Sequence, residues 1–364
     1  MSTIINESSK PSCLVIGAGG VGVITTYSLF NAGLSEVSLV VRSDYEHVKQ
    51  NGYSIESCDY GSISNWRPHH LFKTAHDAAQ SGRFFDYIVV TVKNIPDGPK
   101  SGTVHEIVRP VVESNHQIDA SRITSIMLIQ NGLDIEKELL EHFDQNCYKL
   151  ALLSGVQLIG STKVGPGKVV QISADRLSVA PFDAVDEIAI ERTKLFATMY
   201  NNEGHNEVKY ENNVKYIRWR KLLYNAVINT TTALTQVDSA RCQMLSRESN
   251  STENCLWIPA MKEVIAIAAS EGVTIDPKEM EFFLVLAKTF VYKPSMCIDY
   301  EKGQLMELEV ILGNPLRIAR KNGVSAPTLF VIYHLMTILQ GKIKERQGII
   351  RFNEKTIKVE SVLE

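Results

Sequence analysis

The first part of the chain alternates between short apolar runs and amphipathic stretches. Four apolar runs have the length and flanking residues of buried strands, and they lie at 12–17, 37–41, 85–92 and 123–129. Helical periodicity lies between them, near 20–32, 44–50, 75–80, 103–113 and 134–143. Strands that alternate with helices predict a parallel, doubly wound sheet. The polar stretch 57–73 is expected to form a long loop or an edge hairpin.

The pattern changes after about residue 148. Short strands are expected at 150–160, 168–172 and 177–179, with a turn at Gly165-Pro166-Gly167. Beyond residue 185 the chain is nearly all helical in pattern, with candidate helices at 184–202, 211–233, 252–271, 276–290, 301–321 and 326–341. The fold class expected is α/β, with an N-terminal doubly wound domain over 1–200, an all-helical C-terminal domain over 201–345 and a tail over 346–364 without assigned structure.

Composition and charge narrow the function classes. The 364 residues are 44% hydrophobic and 22% charged, which is typical of a globular chain with a sizeable core. The net charge of −3, from 38 basic and 41 acidic side chains, argues against a partner that is a nucleic acid. No apolar run approaches the ~20 residues that span a bilayer, and the polar N-terminus has no leader signal, so no membrane partner is expected.

Cysteine and histidine usage bears on compartment and metal binding. The six cysteines are scattered without a C-x-x-C pair, which indicates reduced thiols and a cytoplasmic location. The one histidine pair, His69-His70, has no third ligand in view, so no metal site is expected.

A glycine-rich loop follows the first predicted strand and begins the first predicted helix. Its sequence is Gly17-Ala18-Gly19-Gly20-Val21-Gly22, a G-x-G-x-x-G. In this context the first glycine allows a tight turn, the second lets the backbone approach a pyrophosphate, and the third lets helix and strand pack closely. The N–H groups at the helix N-terminus can bind phosphates. The loop therefore predicts a dinucleotide cofactor.

The residue after the second predicted strand indicates which dinucleotide. A carboxylate there would bind a ribose 2′-hydroxyl and repel a 2′-phosphate, but this chain has Arg42. Because a guanidinium binds phosphate through charge-assisted hydrogen bonds, NADPH (NADP) is favoured over NADH. Asp44 lies two residues later, and its carboxylate keeps NADH possible as the cofactor.

Three polar residues share one face of a predicted apolar helix. Lys221, Asn225 and Asn229 are spaced at i, i+4 and i+8. Because buried polar groups need partners, this stripe either lines a cleft or forms a structural network, and the sequence leaves both open. A lysine in a dry cleft could donate the proton that a carbonyl needs when hydride reduces it. The reaction expected beside a nicotinamide is therefore carbonyl reduction or its reverse.

The chain resembles the ketopantoate reductase (2-dehydropantoate 2-reductase) family from about Ser12 to Leu339. The motifs that carry the resemblance occur in the family's order. They are the Gly17–Gly22 loop, Arg42, Val90-Thr91-Val92-Lys93, Gln130-Asn131-Gly132, Trp219-Arg220-Lys221 with Asn225 and Asn229, Ser295-Met296 with Asp299, and Glu307. The resemblance implies an N-terminal Rossmann domain and a C-terminal helical domain. It also implies reduction of 2-dehydropantoate, or a related branched 2-oxo acid, by NADPH to the (R)-2-hydroxy acid in pantothenate biosynthesis.

The resemblance further implies a role for each matched position. The cofactor-binding residues would be Gly17, Ala18, Gly19, Gly20, Val21, Gly22, Arg42, Lys93 and Asn131. The catalytic residues would be Lys221, as proton donor, and Glu307, which would help set the charge of Lys221. The substrate-binding residues would be Asn225, Asn229 and Ser295. By residue chemistry alone, Glu307 would instead lie on a solvated helix face, Asn131 in a plain turn, and Ser295 at a helix cap.

Departures from the family pattern concern the substrate side. Tyr292 stands where the family usually has an asparagine, and Ser239 is nearest to a second such position. Two alternatives therefore stay open: a D-2-hydroxyacid dehydrogenase acting on bulky 2-oxo acids, and a non-catalytic NADPH-binding sensor, against which the intact lysine stripe counts. The expected partner is a small-molecule 2-oxo acid, and a homodimer is left open.

Overall fold

The computed structural model describes residues 10–144, 147–246, 248 and 251–362, which form two compact units. The first unit holds the described residues up to Val92, together with Val104–Gln130 and Ile135–Val214. The second holds Lys93–Thr103, Asn131–Asp134 and the described chain from Lys215 onward. Two short segments that directly follow predicted strands thus belong to the second unit.

One sheet organises the first unit. Its ten strands in the described residues are β1 Ser12–Ile16, β2 Glu36–Val40, β3 Tyr53–Ser57, β4 Gly61–Trp66, β5 His70–Phe72, β6 Tyr87–Val90, β7 Thr124–Ile129, β8 Leu150–Gly165, β9 Lys168–Pro181 and β10 Glu207–Tyr210. The helices of this unit are α1 Gly20–Asn31, α2 Tyr45–Asn51, α3 Ala75–Ala79, α4 Val104–Ile118, α5 Lys137–His142 and α6 Glu187–Tyr200.

Half of the sheet is parallel and doubly wound, as predicted. Strands β5, β2, β1, β6, β7 and β8 are neighbours in that order, and each pair is parallel. This is the order of the dinucleotide-binding Rossmann fold. Every residue of β6 and β7 is buried, which is typical of parallel strands covered on both faces. That burial explains why continuous apolar runs identified these strands in the sequence.

The other half of the sheet is mixed rather than parallel. Strands β8 and β9 form a long antiparallel hairpin around the predicted turn, with Gly165 opposite Lys168. A turn this short can join only antiparallel strands. The short strands predicted over 150–179 are therefore parts of two long ones. Strands β3 and β4 form an antiparallel edge hairpin that overlaps the stretch 57–73.

The second unit is helical. Its α-helices are α7 Val214–Leu222, α8 Thr230–Thr235, α9 Ser239–Met244, α10 Ile258–Ser270, α11 Lys278–Thr289, α12 Ser295–Glu301, α13 Asn314–Asn322 and α14 Pro327–Arg346. Wider π-helical turns lie at Leu223–Asn229, Glu253–Trp257 and Glu309–Gly313. An antiparallel hairpin of β11 (Ile350–Asn353) and β12 (Lys358–Ser361) follows, in the tail to which the sequence assigned no structure.

One predicted helix, 301–321, is interrupted. Helix α12 ends at Glu301, and Gly303 adopts a left-handed conformation with φ of +63°. Helical structure resumes only at Glu309. Since a left-handed glycine is a common helix stop, the interruption has a local cause. It places Glu307 between helices instead of on the solvated helix face that its neighbours suggest.

Two further observations bear on function class. No helix of the described ranges is both long and apolar enough to cross a membrane. The same ranges contain no group of three or more His, Cys, Asp and Glu side chains that could hold a metal ion.

A buried carboxyl group in the first unit has neutral partners. Asp175 is fully buried, accepts hydrogen bonds from the Tyr200 hydroxyl at 2.6 Å and from Gln157 Nε2 at 2.7 Å, and lies near Asp59. Burial raises the pKa of Asp175 to about 6, although these two hydrogen bonds act in the opposite direction. Ionisation of this group therefore costs stability at neutral pH.

We expect Asp175→Asn to stabilise the protein most at alkaline pH. The stability that the protonated Asp175 contributes is complete below the unfolded-state pKa of about 4 and is lost as pH rises through about 6. The free energy of unfolding of the variant, relative to wild type, should therefore rise by on the order of 1–2 kcal/mol between pH 5 and pH 8. Urea unfolding measures it, with exposed Asp183→Asn as the control. An equal effect at both pH values would contradict the assignment.

Candidate active site

The helix that carries the candidate lysine widens directly after it. Lys221 lies in the last turn of α7, and the π-helical turn Leu223–Asn229 follows. π-Helical turns are rare and often occur at functional sites. Asn225 and Asn229 are 4% and 1% exposed, so both amides need protein partners. Lys221 keeps part of its surface accessible.

A buried carboxylate lies at the centre of the polar residues. Glu307 is 6% exposed. Its Oε2 accepts a hydrogen bond from Asn131 Nδ2 at 2.8 Å, and its Oε1 accepts one from the backbone N–H of Asn94 at 3.3 Å. Asn131 Oδ1 in turn accepts a hydrogen bond from Asn225 Nδ2 at 3.1 Å. The sequence did not single out Asn94, because its contribution comes from the backbone.

The charge of Lys221 is set by its surroundings. Burial lowers its pKa to about 8, the negative charge of Glu307 acts to raise it, and the positive charge of Arg218 lowers it. A lysine with such a pKa exchanges a proton near neutral pH, which an ordinary surface lysine does not. Glu307 and Lys221 therefore interact, as the family resemblance implies.

A second hydrogen-bonded group surrounds the start of α12. Asn229 Nδ2 donates to Ser295 Oγ at 3.2 Å, and Asn229 Oδ1 accepts the backbone N–H of Met296 at 2.9 Å. Ser295 is exposed and is the first residue of α12, directly after Pro294 at the N-cap position. The three predicted substrate-side residues therefore lie in two hydrogen-bonded groups, with Asn225 in the first and Asn229 and Ser295 in the second. Asn225 and Asn229 are buried members, and Ser295 presents a hydroxyl at the surface.

Lys93 has an acidic partner that the sequence named only as part of a motif. Its ammonium group forms an ion pair with the carboxylate of Asp299. Asp299 is 6% exposed, and burial raises its pKa although the ion pair with Lys93 acts to lower it. The ion pair joins the segment after β6 to α12. Lys93 is therefore held by a specific partner, unlike a solvated loop lysine.

The two positions that depart from the family pattern are neighbours. The backbone N–H and the hydroxyl of Ser239 donate to the carbonyl oxygen of Tyr292 at 3.0 and 3.3 Å. Tyr292 is half-buried, and burial followed by the charge of Asp299 raises the pKa of its phenol. The departures thus form one altered region next to α12.

The glycine-rich loop lies in the first unit, and the protein packs closely against three of its four glycines. Gly17 has φ of +123°, and a Cβ there would lie 2.5 Å from Thr91 Oγ1. A Cβ on Gly22 would lie 1.9 Å from the carbonyl oxygen of Gly17, and one on Gly20 would lie 2.5 Å from the backbone of Ser161. These three positions accept no side chain because the protein itself packs against them.

Gly19 differs from these positions and fits a bound phosphate. No atom of the described chain, apart from its immediate neighbours, would lie within 4 Å of a Cβ on Gly19. Gly19 precedes α1, whose N-terminus has no side-chain cap. A glycine that protein packing does not require, at an uncapped helix N-terminus, fits close approach of a pyrophosphate to the backbone.

The two charged residues after β2 have different surroundings. Arg42 is exposed. Asp44 is 8% exposed, and its carboxylate oxygens lie 2.9 and 2.8 Å from Lys163 Nζ, while Ser43 Oγ and the Gly167 N–H also donate to it. Burial acts to raise the pKa of Asp44, but these hydrogen bonds outweigh it and lower the pKa. Asp44 is therefore ionised and bound within the protein by Lys163, Ser43 and the Gly167 N–H.

Comparison with known proteins gives a consistent result along the whole chain. Residues 13–184 match the model of the family described as ketopantoate reductase PanE/ApbA, and residues 213–340 match its C-terminal part. An uncharacterised Saccharomyces cerevisiae protein, YDL144C, is 52% identical over 346 residues, which cover 94% of this chain and 97% of the relative.

Solved structures share the fold. The crystal structure of 2-dehydropantoate 2-reductase from Methylococcus capsulatus superposes with a TM-score of 0.74 at 30% identity, and the match covers 91% of this chain and 97% of that one. A D-mandelate dehydrogenase with NADH and anilino(oxo)acetate has a TM-score of 0.71 at 18% identity, covering 92% and 99%, and this likeness concerns the fold alone. The chain belongs to the ketopantoate reductase family.

Proposed function

We propose that this chain is an oxidoreductase that uses NADPH to reduce 2-dehydropantoate, or a related branched 2-oxo acid, to the (R)-2-hydroxy acid. Membership of the ketopantoate reductase family supports an oxidoreductase acting on 2-oxo acids. The observation that carries the proposal is a lysine with a pKa of about 8 beside a buried carboxylate. A general acid is most effective when its pKa lies near the working pH.

Lys221 has the role of proton donor. When bound, a reduced nicotinamide would supply the hydride that the carbonyl carbon of the substrate needs. The ammonium group of Lys221 gives its proton to the carbonyl oxygen, which becomes the hydroxyl of the product. Glu307 keeps part of the Lys221 population protonated at neutral pH, because its negative charge favours the ammonium form. Asn131 and the Asn94 N–H hold that carboxylate in place.

Substrate binding is assigned to the surface next to these groups. Ser295 offers an exposed hydroxyl, and Asn229 orients it through a hydrogen bond of 3.2 Å. Asn225 acts through Asn131, whose amide it holds. Lys93, whose charge is balanced by Asp299, is assigned to the cofactor.

NADPH is the proposed cofactor because of the residues after β2. Arg42 offers a guanidinium to a 2′-phosphate, and Asp44 is already bound by Lys163. The open approach to Gly19 supports binding of the pyrophosphate at the start of α1.

A second candidate is a D-2-hydroxyacid dehydrogenase acting on bulky 2-oxo acids. It is favoured by the half-buried Tyr292, which replaces an asparagine of the family pattern near the exposed Ser295. A non-catalytic NADPH-binding sensor is less well supported, because such a protein would have no need of a lysine with a lowered pKa beside Glu307.

Lys221→Met should remove catalysis and spare cofactor binding. Loss of the proton donor is expected to lower kcat by about 10²–10⁴-fold. Because only the general acid is removed, the Kd for NADPH, measured by fluorescence titration, should stay within about twofold of the wild-type value. Lys215→Met, on the exposed face of α7, is the control. A variant at position 221 that keeps most of its kcat would show that another group protonates the substrate.

The role of Lys221 as proton donor predicts how kcat depends on pH in each direction of the reaction. Reduction requires the protonated lysine, so kcat should be constant below about pH 7 and fall tenfold per unit well above the Lys221 pKa of about 8. Oxidation of the hydroxy acid requires the neutral amine and should show the opposite trend. A reduction rate that rises through pH 9 would contradict the assignment.

Arg42→Ala tests the choice of nicotinamide. Loss of a charge-assisted hydrogen bond worth about 1.5–3 kcal/mol should raise the KM for NADPH by roughly 10–100-fold. The KM for NADH, which lacks the 2′-phosphate, serves as the internal control and should change little. Equal increases for both cofactors would show that Arg42 does not bind the 2′-phosphate.

Substrate choice is tested by comparing kcat/KM for 2-dehydropantoate, 2-oxoisovalerate and phenylglyoxylate with both nicotinamides. The first proposal expects 2-dehydropantoate to give the largest value, and the second candidate expects phenylglyoxylate. If the protein binds NADPH tightly but reduces none of the three 2-oxo acids, the result would support the non-catalytic NADPH-binding sensor.

A further inference from the structure

Two arginines close to Lys221 have very different surroundings. Arg220 is directed to α11, where its Nε lies 2.7 Å from Glu279 Oε2 and its side chain is 27% exposed. Arg218 is only 5% exposed. A buried guanidinium is costly to keep in a protein unless it is paired or hydrogen-bonded. The proposed function gives Arg218 no role that accounts for its burial close to Lys221.

Arg218 binds the turn that follows β7. Its Nη1 donates to the carbonyl oxygen of Gly132 at 2.9 Å. Gly132 has φ of +92°, and a Cβ there would lie 2.5 Å from both the side chain and the carbonyl oxygen of Val310. The backbone N–H of Leu133 donates a hydrogen bond to the carbonyl oxygen of Val310 at 2.9 Å. The turn is therefore held tightly from two sides.

The residue before Gly132 is the one that binds Glu307. Asn131 donates to Glu307 at 2.8 Å and accepts from Asn225 at 3.1 Å. Asn131 directly precedes Gly132, so the hydrogen bond from Arg218 to the Gly132 carbonyl helps to hold the turn that carries the Asn131 side chain. Arg218 thus acts on the orientation of the Glu307 carboxylate through one turn of backbone.

We propose that Arg218 is a positioning residue of this site: its guanidinium holds the Asn131–Gly132 turn against Glu307, and its positive charge acts on the ammonium group of Lys221 from one helical turn away. The proposal rests on Lys221 being the proton donor of the proposed function. Lys221 is then influenced by two charges: the negative charge of Glu307 and the positive charge of Arg218, which lies on the same helix as Lys221.

The charges around Lys221 support this role. Arg218 precedes Lys221 by three residues, a spacing that places both on one helix face. Glu307 acts to raise the pKa of Lys221 and Arg218 lowers it, whereas Lys93 and Asp299 are paired with each other. Arg218 therefore opposes Glu307, and the lysine releases its proton more readily than it would beside the carboxylate alone.

Two substitutions separate the charge from the hydrogen bond. Arg218→Gln removes the charge but keeps an amide that can donate to Gly132, and Arg218→Lys keeps the charge on a different geometry. Arg220→Gln and Arg220→Lys are matched controls on the outer side of the same helix turn. The first readout is the pH midpoint of Lys221 acetylation by acetic anhydride, measured by peptide mass spectrometry. The second is kcat and KM against pH with NADPH and the active 2-oxo acid.

The two substitutions have distinct expected results. Arg218→Gln should raise the acetylation midpoint of Lys221 by about one unit and move the alkaline limb of kcat by the same amount. Arg218→Lys should leave the midpoint near the wild-type value and lower kcat about tenfold, with the KM for NADPH unchanged, because the turn is less well held. The Arg220 variants should match wild type in both readouts.

Each contrary result is decisive. An acetylation midpoint in Arg218→Gln equal to that of Arg220→Gln overturns the charge effect, and a wild-type kcat in folded Arg218→Lys overturns the positioning effect. Failure of both Arg218 variants to fold, with both Arg220 variants folded, would make Arg218 purely structural. If no 2-oxo acid is reduced, the proposed function fails, but the acetylation midpoints still test the effect of Arg218 on Lys221.

Discussion

The buried carboxylate of Glu307 is the group on which the helical unit's polar interior depends. An ionised carboxylate is expensive to bury unless donors and positive charge surround it. Here the donors come from two segments outside the helices, through the Asn94 N–H and the Asn131 amide, and the positive charge comes from Lys221. The two hydrogen bonds tie both segments to Glu307, and the charge of Glu307 acts on Lys221.

The same requirement explains an unusual division of the chain. The segments Lys93–Thr103 and Asn131–Asp134 directly follow sheet strands, yet they belong with the helices. Side chains of the helical unit hold them at several points: Lys344 Nζ binds Asp97 at 2.7 Å, and Asn314 Nδ2 binds the Leu133 carbonyl at 2.7 Å.

The first unit combines rigid and open positions in one loop. Gly17 and Gly22 are glycines because backbone or side-chain atoms of the protein occupy the space of a Cβ. Gly19 is a glycine without any such neighbour in the described chain. Packing therefore accounts for Gly17 and Gly22, whereas no packing contact within the described chain requires a glycine at position 19. A similar separation holds after β2, where Asp44 has an internal partner in Lys163 and Arg42 extends outward.

The parallel strands were predictable because burial on both faces leaves continuous apolar runs, as in β6 and β7. The long strands β8 and β9 were shortened in the prediction because the last five residues of β8 are not buried and the middle of β9 is exposed, which breaks the apolar pattern. The glycine loop and the spacing of Lys221, Asn225 and Asn229 could be recognised in the sequence because both patterns involve residues that are close together along the chain.

The sequence by itself determined the parallel strands, the dinucleotide motif and the lysine stripe, since turns, helix faces and apolar runs are local properties. Only the tertiary structure decided that Glu307 is buried, because Gly303 ends a helix that the flanking charges suggest should continue. It also decided which of two nearby arginines is internal. The partner of Arg218 is a carbonyl 86 positions away in the sequence, and contacts across such a distance follow from packing instead of local pattern.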